Sequence, residues 1–399
     1  MRILHTSDWH IGHKIYERSR IDEHTNFLNW LLKTITEKKV EVLLVSGDIF
    51  DSSIPSAEAT DIYYQFLHDL YTRTGAHAVI IAGNHDSAVR LAAPKEFLKM
   101  AGIHVIGGFR ESPKECVVSF TKNGETASFA AVPYLNEGDI LSHVSLEGEV
   151  ERNQRYREAV KKIYTECMSS MPDDSIKILM GHFFMQGIEG SGTERFTTVG
   201  DTQPIRTGDL PEGADYIALG HLHRPQHITG NGCPIIYPGS PIPMSFKEAE
   251  YEKKVFIIDT DGTGTCSVGA IPVPVFRELV RVEMTLEDVL NSASFGNWKD
   301  KYIEVRVRLE KPEVGLGDRI RQAFDSRGGR VLVVESVLSD REDGESISAS
   351  DIQSRSPADM FKDFFNEKYG ENTTPDDLDE LLKTFNELIE ISNRQEREP

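Results

Sequence analysis

Five times along this chain an apolar run of strand length ends and a short polar cluster follows at once. Ile3-Leu4 leads into Thr6-Ser7-Asp8-Trp9-His10, and the run from Val40 to Ser46 into Gly47-Asp48-Ile49-Phe50-Asp51. The run Ala78 to Ala82 leads into Gly83-Asn84-His85-Asp86. Ile176 to Met180 ends at Gly181-His182, and Tyr216 to Leu219 at Gly220-His221-Leu222-His223. Short apolar runs bounded by turn residues read as buried strands. The first three alternate with helical patterns, which implies a parallel sheet with helices on its faces, an α/β fold. In such sheets the sites lie at the carboxyl ends of the strands, where these clusters fall.

Periodicity predicts the intervening helices. Residues 22–37 place Phe27, Leu28, Leu31, Leu32 and Ile35 on one face. Ser56 is the expected cap of a helix running to about Tyr71, and another is expected to run through Met100. The runs 117–120 and 127–132 read as strands paired around the Asn123-Gly124 turn, and 153–168 as a helix. Gly187 to Gly213 reads as a long loop, and the stretch 234–268 as β-rich. Pro272, Pro274 and Val275 form a stiff extended linker, which divides the chain. The expected units are a first domain over 1–272 and a small α+β unit over 276–338. A polar linker follows over 339–357, then two amphipathic helices within 358–399. Met360, Phe361, Phe364 and Phe365 lie on the apolar face of the first helix; Leu378, Leu381, Leu382, Phe385, Leu388 and Ile389 lie on that of the second.

The formal net charge of −20 argues against generic nucleic-acid binding. Its distribution matters more. Residues 335–399 carry 7 basic and 18 acidic side chains, more than half the excess, whereas 277–330 carry 11 and 10. Cys116, Cys167, Cys233 and Cys266 have no paired spacing and read as reduced thiols of a cytoplasmic protein. No apolar run approaches the roughly 20 residues that span a bilayer. The first residues already belong to a strand, leaving no room for a signal peptide.

The polar members of the five clusters are carboxylates, imidazoles and one amide, without a thiol. Such donors suit divalent ions such as Mn, Fe, Zn or Mg. In Asp8-x-His10 and His221-x-His223 the one-residue gap puts both side chains on one side of an extended segment. Seven donors exceed the needs of one ion but fit two that share a carboxylate. A lone histidine at a strand end is usually a hydrogen-bonded structural residue, and Asp48 by itself could be a turn residue. The recurrence is what favours a metal centre. His5, His24, His68, His77 and His227 lack that setting and read as structural.

The order Asp-x-His, Gly-Asp-x-x-Asp, Gly-Asn-His-Asp, Gly-His, Gly-His-x-His resembles the calcineurin-like metallophosphoesterase superfamily. Residues 1–12, Gly47 to Asp51, Ala214 to His223 and Tyr237 to Phe246 are similar to the bacterial SbcD family within it. The resemblance implies layered β-sheets flanked by helices and a manganese-dependent DNA nuclease subunit, with magnesium as the other candidate ion. One ion would take Asp8, His10 and His223, the other Asn84, His182 and His221, with Asp48 bridging. His85 would be catalytic and not a ligand. The implied activities are 3′-to-5′ exonuclease on duplex DNA ends and endonuclease at hairpins, with an SbcC-like ATPase as partner. The implied assembly is a homodimer within a heterotetramer. The unit at 276–338 would cap the DNA and the C-terminal helices would dock on the partner's coiled coil. Lys14, Arg18, Arg20 and Arg90 are candidate phosphate contacts beside the metals, or plain solvated charge. Tyr63, Phe66, Leu67 and Leu70 would supply the dimer face or simply the core. The alternative is a phosphoesterase for small molecules or proteins, which has no need of the extra domain and paired helices. A third reading is a DNA-bridging scaffold.

Overall fold

The computed structural model describes residues 1–109, 112–136, 152–188, 190, 192–194, 204–261, 266–309, 313, 315–326, 328–338, 362, 381, 382 and 385. The linker expected at 339–357 lies outside the described residues. So do the two C-terminal helices, save Lys362, Leu381, Leu382 and Phe385, which are helical.

The chain opens with β1 (Arg2–Thr6), the small hairpin of β2 (Lys14–Ile15) and β3 (Arg18–Ser19), and α1 (Ile21–Lys38). It continues through β4 (Val42–Ser46), α2 (Ala57–Asp69), β5 (His77–Ile81), α3 (Ala88–Ala92), α4 (Lys95–Met100) and β6 (Ile103–Ile106). Next come β7 (Val117–Lys122), β8 (Glu125–Ala131), α5 (Arg152–Met168), β9 (Ile176–His182) and β10 (Tyr216–Gly220). Then follow β11 (Gln226–Ile228), β12 (Ile235–Tyr237), β13 (Lys254–Thr260) and β14 (Cys266–Pro272).

Local chemistry explains most boundaries. The Ser56 hydroxyl accepts from the Ala59 amide and starts α2. Asn123 and Gly124 both take positive φ, 53° and 83°, the two-residue turn that matches strand twist. The single helix expected up to Met100 is two short ones. Pro94 stands between α3 and α4, where its ring and missing N–H interrupt the helix.

Two mixed sheets face each other, in the orders β14-β13-β1-β4-β5-β6 and β11-β12-β10-β9-β8-β7. Strands β1, β4, β5 and β6 run parallel, as do β8, β9, β10 and β12. Ile3, Leu44, Val79 and Ile81 of one sheet meet Phe129, Ile178, Met180 and Tyr216 of the other in the central core. The outer face of the first sheet packs under α1 and α2 through Phe27, Leu31, Tyr63, Phe66, Leu67 and Leu70. The last four are therefore core residues. The outer face of the second sheet packs under α5 through Ala159, Val160, Ile163 and Tyr164. Every residue of β4 is buried, as expected of a parallel strand covered on both faces.

The sheets approach closely at the carboxyl ends of β4 and β10. A Cβ on Gly220 would lie 1.9 Å from the Ser46 carbonyl oxygen, so only glycine fits there. Pro272 closes β14 at the sheet edge, where a missing N–H costs no ladder bond. After it come β15 (Leu279–Thr285), α6 (Leu286–Phe295), β16 (Tyr302–Leu309), α7 (Leu316–Asp325) and β17 (Arg330–Leu338). This α+β unit has its own core of Val282, Val289, Ile303, Val305, Ile320 and Phe324. Met1–Val337 form one compact unit.

Candidate metal centre

The parallel strands bring all five polar clusters to one end of the facing sheets. The turns that present them are strained. Asp8, His10, Asp48 and His221 have φ of 52°, 46°, 50° and 100°, a region non-glycine residues rarely enter. Such backbone costs about 1–3 kcal/mol per residue and persists where surrounding bonds impose it. Here the Asp8 amide donates to the Gly47 carbonyl and the His10 amide to the Asp48 carbonyl, both at 3.0 Å. The His221 amide donates to Asp8 Oδ1 at 2.9 Å, tying the second sheet to the first.

The seven donors expected from the sequence converge in two lobes. In one, Asp8, His10 and His223 point ligand atoms within 4.8 Å of one another. The Nε2 atoms of His10 and His223 are 3.1 Å apart. In the other, Asn84 Oδ1 lies 3.0 Å from His182 Nε2 and 3.0 Å from His221 Nδ1. Asp48 stands between them, its Oδ2 3.3 Å from His182 Nε2 and 3.6 Å from His10 Nε2. Asp8, His10, Asp48, His182, His221 and His223 are all buried.

The buried ionisable groups act strongly on one another. Burial pushes the Asp8 carboxyl up, and neighbouring Asp48 adds to the shift. Burial would raise Asp48 as well, but the charge and hydrogen bond of His182, with His10 and His85, hold it well below the usual carboxylate range. His182 resists the downward pull of burial because of Asp48 and reaches about 9. His221, desolvated and beside His182, falls to about 3. Two imidazole nitrogens at 3.1 Å need a proton or a cation between them. Buried nitrogen and oxygen donors arranged this way, without a thiol, fit a pair of divalent metal ions.

Further bonds orient the donors. His182 Nδ1 donates to the Ser46 carbonyl at 2.8 Å, which turns Nε2 toward Asn84 and Asp48. Ser46 Oγ in turn donates to the Ala218 carbonyl at 3.1 Å. His10 Nδ1 lies 3.4 Å from Asp51 Oδ1. Asp86 accepts from the Ile49, Phe50 and Gly83 amides at 3.1, 2.9 and 2.8 Å, joining the loops after β4 and β5. Burial, with Asp48 nearby, pushes Asp86 up to about 6 against those three donors.

His85 is placed differently from the seven. Its amide donates to Asp48 Oδ1 at 2.9 Å, and its Nδ1 donates to the Asp51 carbonyl at 2.9 Å. That bond makes Nε2 the acceptor nitrogen of the neutral ring. The ring stands perpendicular to His10 with centroids 4.7 Å apart. His85 also forms a group with His10 and Asp51 whose ligand atoms fall within 4.8 Å. A cleft of about 790 Å³ opens over these side chains, lined by His10, His13, Lys14, Asp51, His85 and His223 among others.

Of the basic candidates, Lys14 lines that cleft, and Arg18 and Arg90 are exposed. Arg20 is a correction. It is 1% exposed, ion-paired to Glu23 and bonded to the Pro243 carbonyl. Its charge holds α1 to the 241–243 segment and does not face solvent. His5 and His24 are structural as expected. His5 bonds Tyr216 and Ser46, and His24 bonds the Arg20 and Trp9 carbonyls. Sequence reading passed over Glu248, Lys253, Thr193 and Glu194, which stand directly behind His223. None follows a strand, and a lone Glu or Thr in a loop carries no spacing signal.

Fold and site define the class: the profile of the calcineurin-like phosphoesterase family matches residues 1–225. A second profile, described as the type 5 capsule protein repressor C-terminal domain, matches residues 275–369. The chain is 29% identical over 393 residues to the SbcD component of nuclease SbcCD from Bacillus subtilis, covering 97% of each chain. It is 30% identical to the SbcD of Escherichia coli K12, covering 86% of each, and 33% identical to that of Rhodobacter capsulatus, covering 69% of this chain and 70% of the relative. The chain belongs to the SbcD family of calcineurin-like phosphoesterases.

Proposed function

We propose that this protein is the nuclease subunit of an SbcCD-type complex, a two-metal phosphodiesterase acting on DNA ends and hairpins. The observation that carries the reading is the convergence of seven nitrogen and oxygen donors in two lobes around Asp48, with His10 and His223 lining an open cleft. Asp8, His10 and His223 would hold one divalent ion and Asn84, His182 and His221 the other, with Asp48 placed to serve both. Manganese is the foremost candidate, with magnesium second. When bound, the ions supply Lewis-acid stabilisation of a phosphoryl group and an activated water.

The chain supplies positioning and proton handling. Asp48 fixes the His85 backbone, and the Asp51 carbonyl fixes the His85 ring. With Nε2 protonated as well, the imidazolium would serve the phosphate, as a hydrogen-bond donor to developing charge or as proton donor to the leaving 3′ oxygen. Lys14 at the cleft and the exposed Arg18 and Arg90 meet backbone phosphates. The unit at 276–338 caps the DNA, and residues 358–399, reached through 339–357, dock on an SbcC-like ATPase. The exposed Val89, Phe97 and Met100 of α3 and α4 supply the apolar face for a second copy, giving a dimer within the heterotetramer. Among the described residues no helix is long and apolar enough to cross a membrane.

The test compares a labelled DNA hairpin with a generic small phosphodiester, in manganese, with and without an SbcC-like ATPase. Hairpin opening that the ATPase stimulates is the expected result. Turnover of the small ester with an inert hairpin would overturn the reading in favour of a small-molecule phosphodiesterase.

A further inference from the structure

The segment from Tyr237 to Phe246 has no donor for the proposed metals, yet it packs against the backbone of His223. After β12 the chain turns at Gly239, with φ of 78°, where a Cβ would lie 2.5 Å from the His223 carbonyl oxygen. The Ser240 amide then donates to that same carbonyl at 3.2 Å. This close approach delivers Glu248 to the far side of the His223 ring. Glu248 is fully buried, and its carboxylate gathers a closed set of donors. Oε2 accepts from Lys253 Nζ at 2.6 Å, the Met244 amide at 3.1 Å and Ser240 Oγ at 3.1 Å. Oε1 faces His223 Nδ1 at 3.1 Å and accepts from the Thr193 hydroxyl. Thr193 Oγ1 is also 2.8 Å from His223 Nδ1.

The proton positions follow from donor inventory. A carboxylate only accepts, so the Thr193 hydroxyl proton is directed at Glu248. The Thr193 lone pair and Oε1 then both face Nδ1, which must carry the ring proton. Nε2 is left with its lone pair aimed at His10 and Asp8. Lys253 Nζ donates both to Glu248 Oε2 at 2.6 Å and to the His223 carbonyl at 3.1 Å, so it ties the carboxylate to the His223 backbone. Among the described residues nothing comparable stands behind the other lobe. There His182 is oriented by a neutral carbonyl, that of Ser46.

From this we infer that Glu248 is a positioning residue of the Asp8/His10/His223 lobe, acting through His223 with Thr193 as its relay. The inference rests on the two-metal reading above. It predicts an asymmetry: losing Glu248 weakens one ion and spares the other. Partners behind a ligating histidine are worth roughly 10- to 100-fold in metal affinity.

The experiment titrates manganese into metal-stripped wild type, Glu248→Gln and Thr193→Val, reading bound ion per chain by electron paramagnetic resonance and elemental analysis. Thermal melts of the stripped proteins report folding. Wild type is expected to take up two ions. Glu248→Gln should hold one at wild-type affinity and the other at least about tenfold more weakly, and Glu248→Asp should restore part of the loss. Thr193→Val, which keeps the carboxylate, should weaken the same ion to a smaller degree and carries the test if Glu248→Gln does not fold. Wild-type binding of both ions in the variants, or equal weakening of both, overturns the role of Glu248. A wild type that binds no manganese overturns the two-metal reading itself, and the inference with it.

Discussion

Asp86 is the cheapest place to break the site without touching a proposed ligand. Its two carboxylate oxygens receive three backbone amides, Gly83 and Ile49 on Oδ2 and Phe50 on Oδ1. In Asp86→Asn one oxygen becomes an NH₂ group. If the amide oxygen serves Gly83 and Ile49, the NH₂ faces the Phe50 amide, donor against donor. If it is flipped, two amides lose their acceptor. A hydrogen bond to a charged group contributes about 1.5–3 kcal/mol, and a stranded buried donor costs about 1–3 kcal/mol. The better rotamer therefore loses about 3–5 kcal/mol of hydrogen bonding, offset in part because the neutral amide escapes the burial and the Asp48 repulsion that push the carboxyl up to about 6, which leaves a net loss of about 1–3 kcal/mol. The same bonds join the loop of Asp48 to the loop of Asn84 and His85, so metal affinity should fall together with stability. Urea unfolding of stripped protein at pH 8 measures the first effect, and manganese titration the second. An Asp86→Asn protein within about 1 kcal/mol of wild type, with unchanged metal binding, would refute the reasoning.

Three further outcomes are expected. Burial, with Arg20 adding for His24, holds His5 and His24 down to about 3, below the ordinary value of 6.5. Each contributes stability that is fully present above 6.5 and is lost as pH falls toward 3, by about 1.4 kcal/mol per pH unit. His24→Gln should therefore flatten the acid side of a stability-versus-pH curve by about that slope, measured by urea midpoints between about pH 6.5 and 4.5; an unchanged slope counts against it. Gly220→Ala places a Cβ 1.9 Å from the Ser46 oxygen and 2.9 Å from His182 Nδ1. It should cost about 3 kcal/mol or more and weaken the ion held by His182, read by melting and metal titration. His85→Ala should retain both ions yet lose about 10²–10⁴ in single-turnover cleavage, and loss of metal in that variant would place His85 among the ligands.

The fold was legible because parallel strands covered on both faces announce themselves as unbroken apolar runs. Each such run stops where its carboxyl end meets the site. Seven donors could be named because each follows a strand within a few residues. Glu248 and Lys253 could not be, because they reach His223 through a turn at Gly239 whose path only tertiary packing decides. Arg20 failed for a related reason. Its position just after the first motif resembles a phosphate-facing cation, but Glu23 one turn along the chain neutralises and buries it. Helix periodicity could not tell the apolar stripe of α2 from a dimer face. Burial assigns Tyr63, Phe66, Leu67 and Leu70 to the core and leaves Val89, Phe97 and Met100 outside. Pro94 carried a readable warning that the helix before Met100 would break.

The central claim is that the two lobes joined by Asp48 act as one two-ion centre for cutting DNA. Its most direct test is single-turnover hairpin cleavage at controlled manganese-to-chain ratios, with bound metal counted in the same samples. Cleavage that rises only as the second ion binds, and that Asp48→Ala abolishes, is the predicted result. Full cleavage with a single bound ion, or in an Asp48→Ala protein, would contradict it.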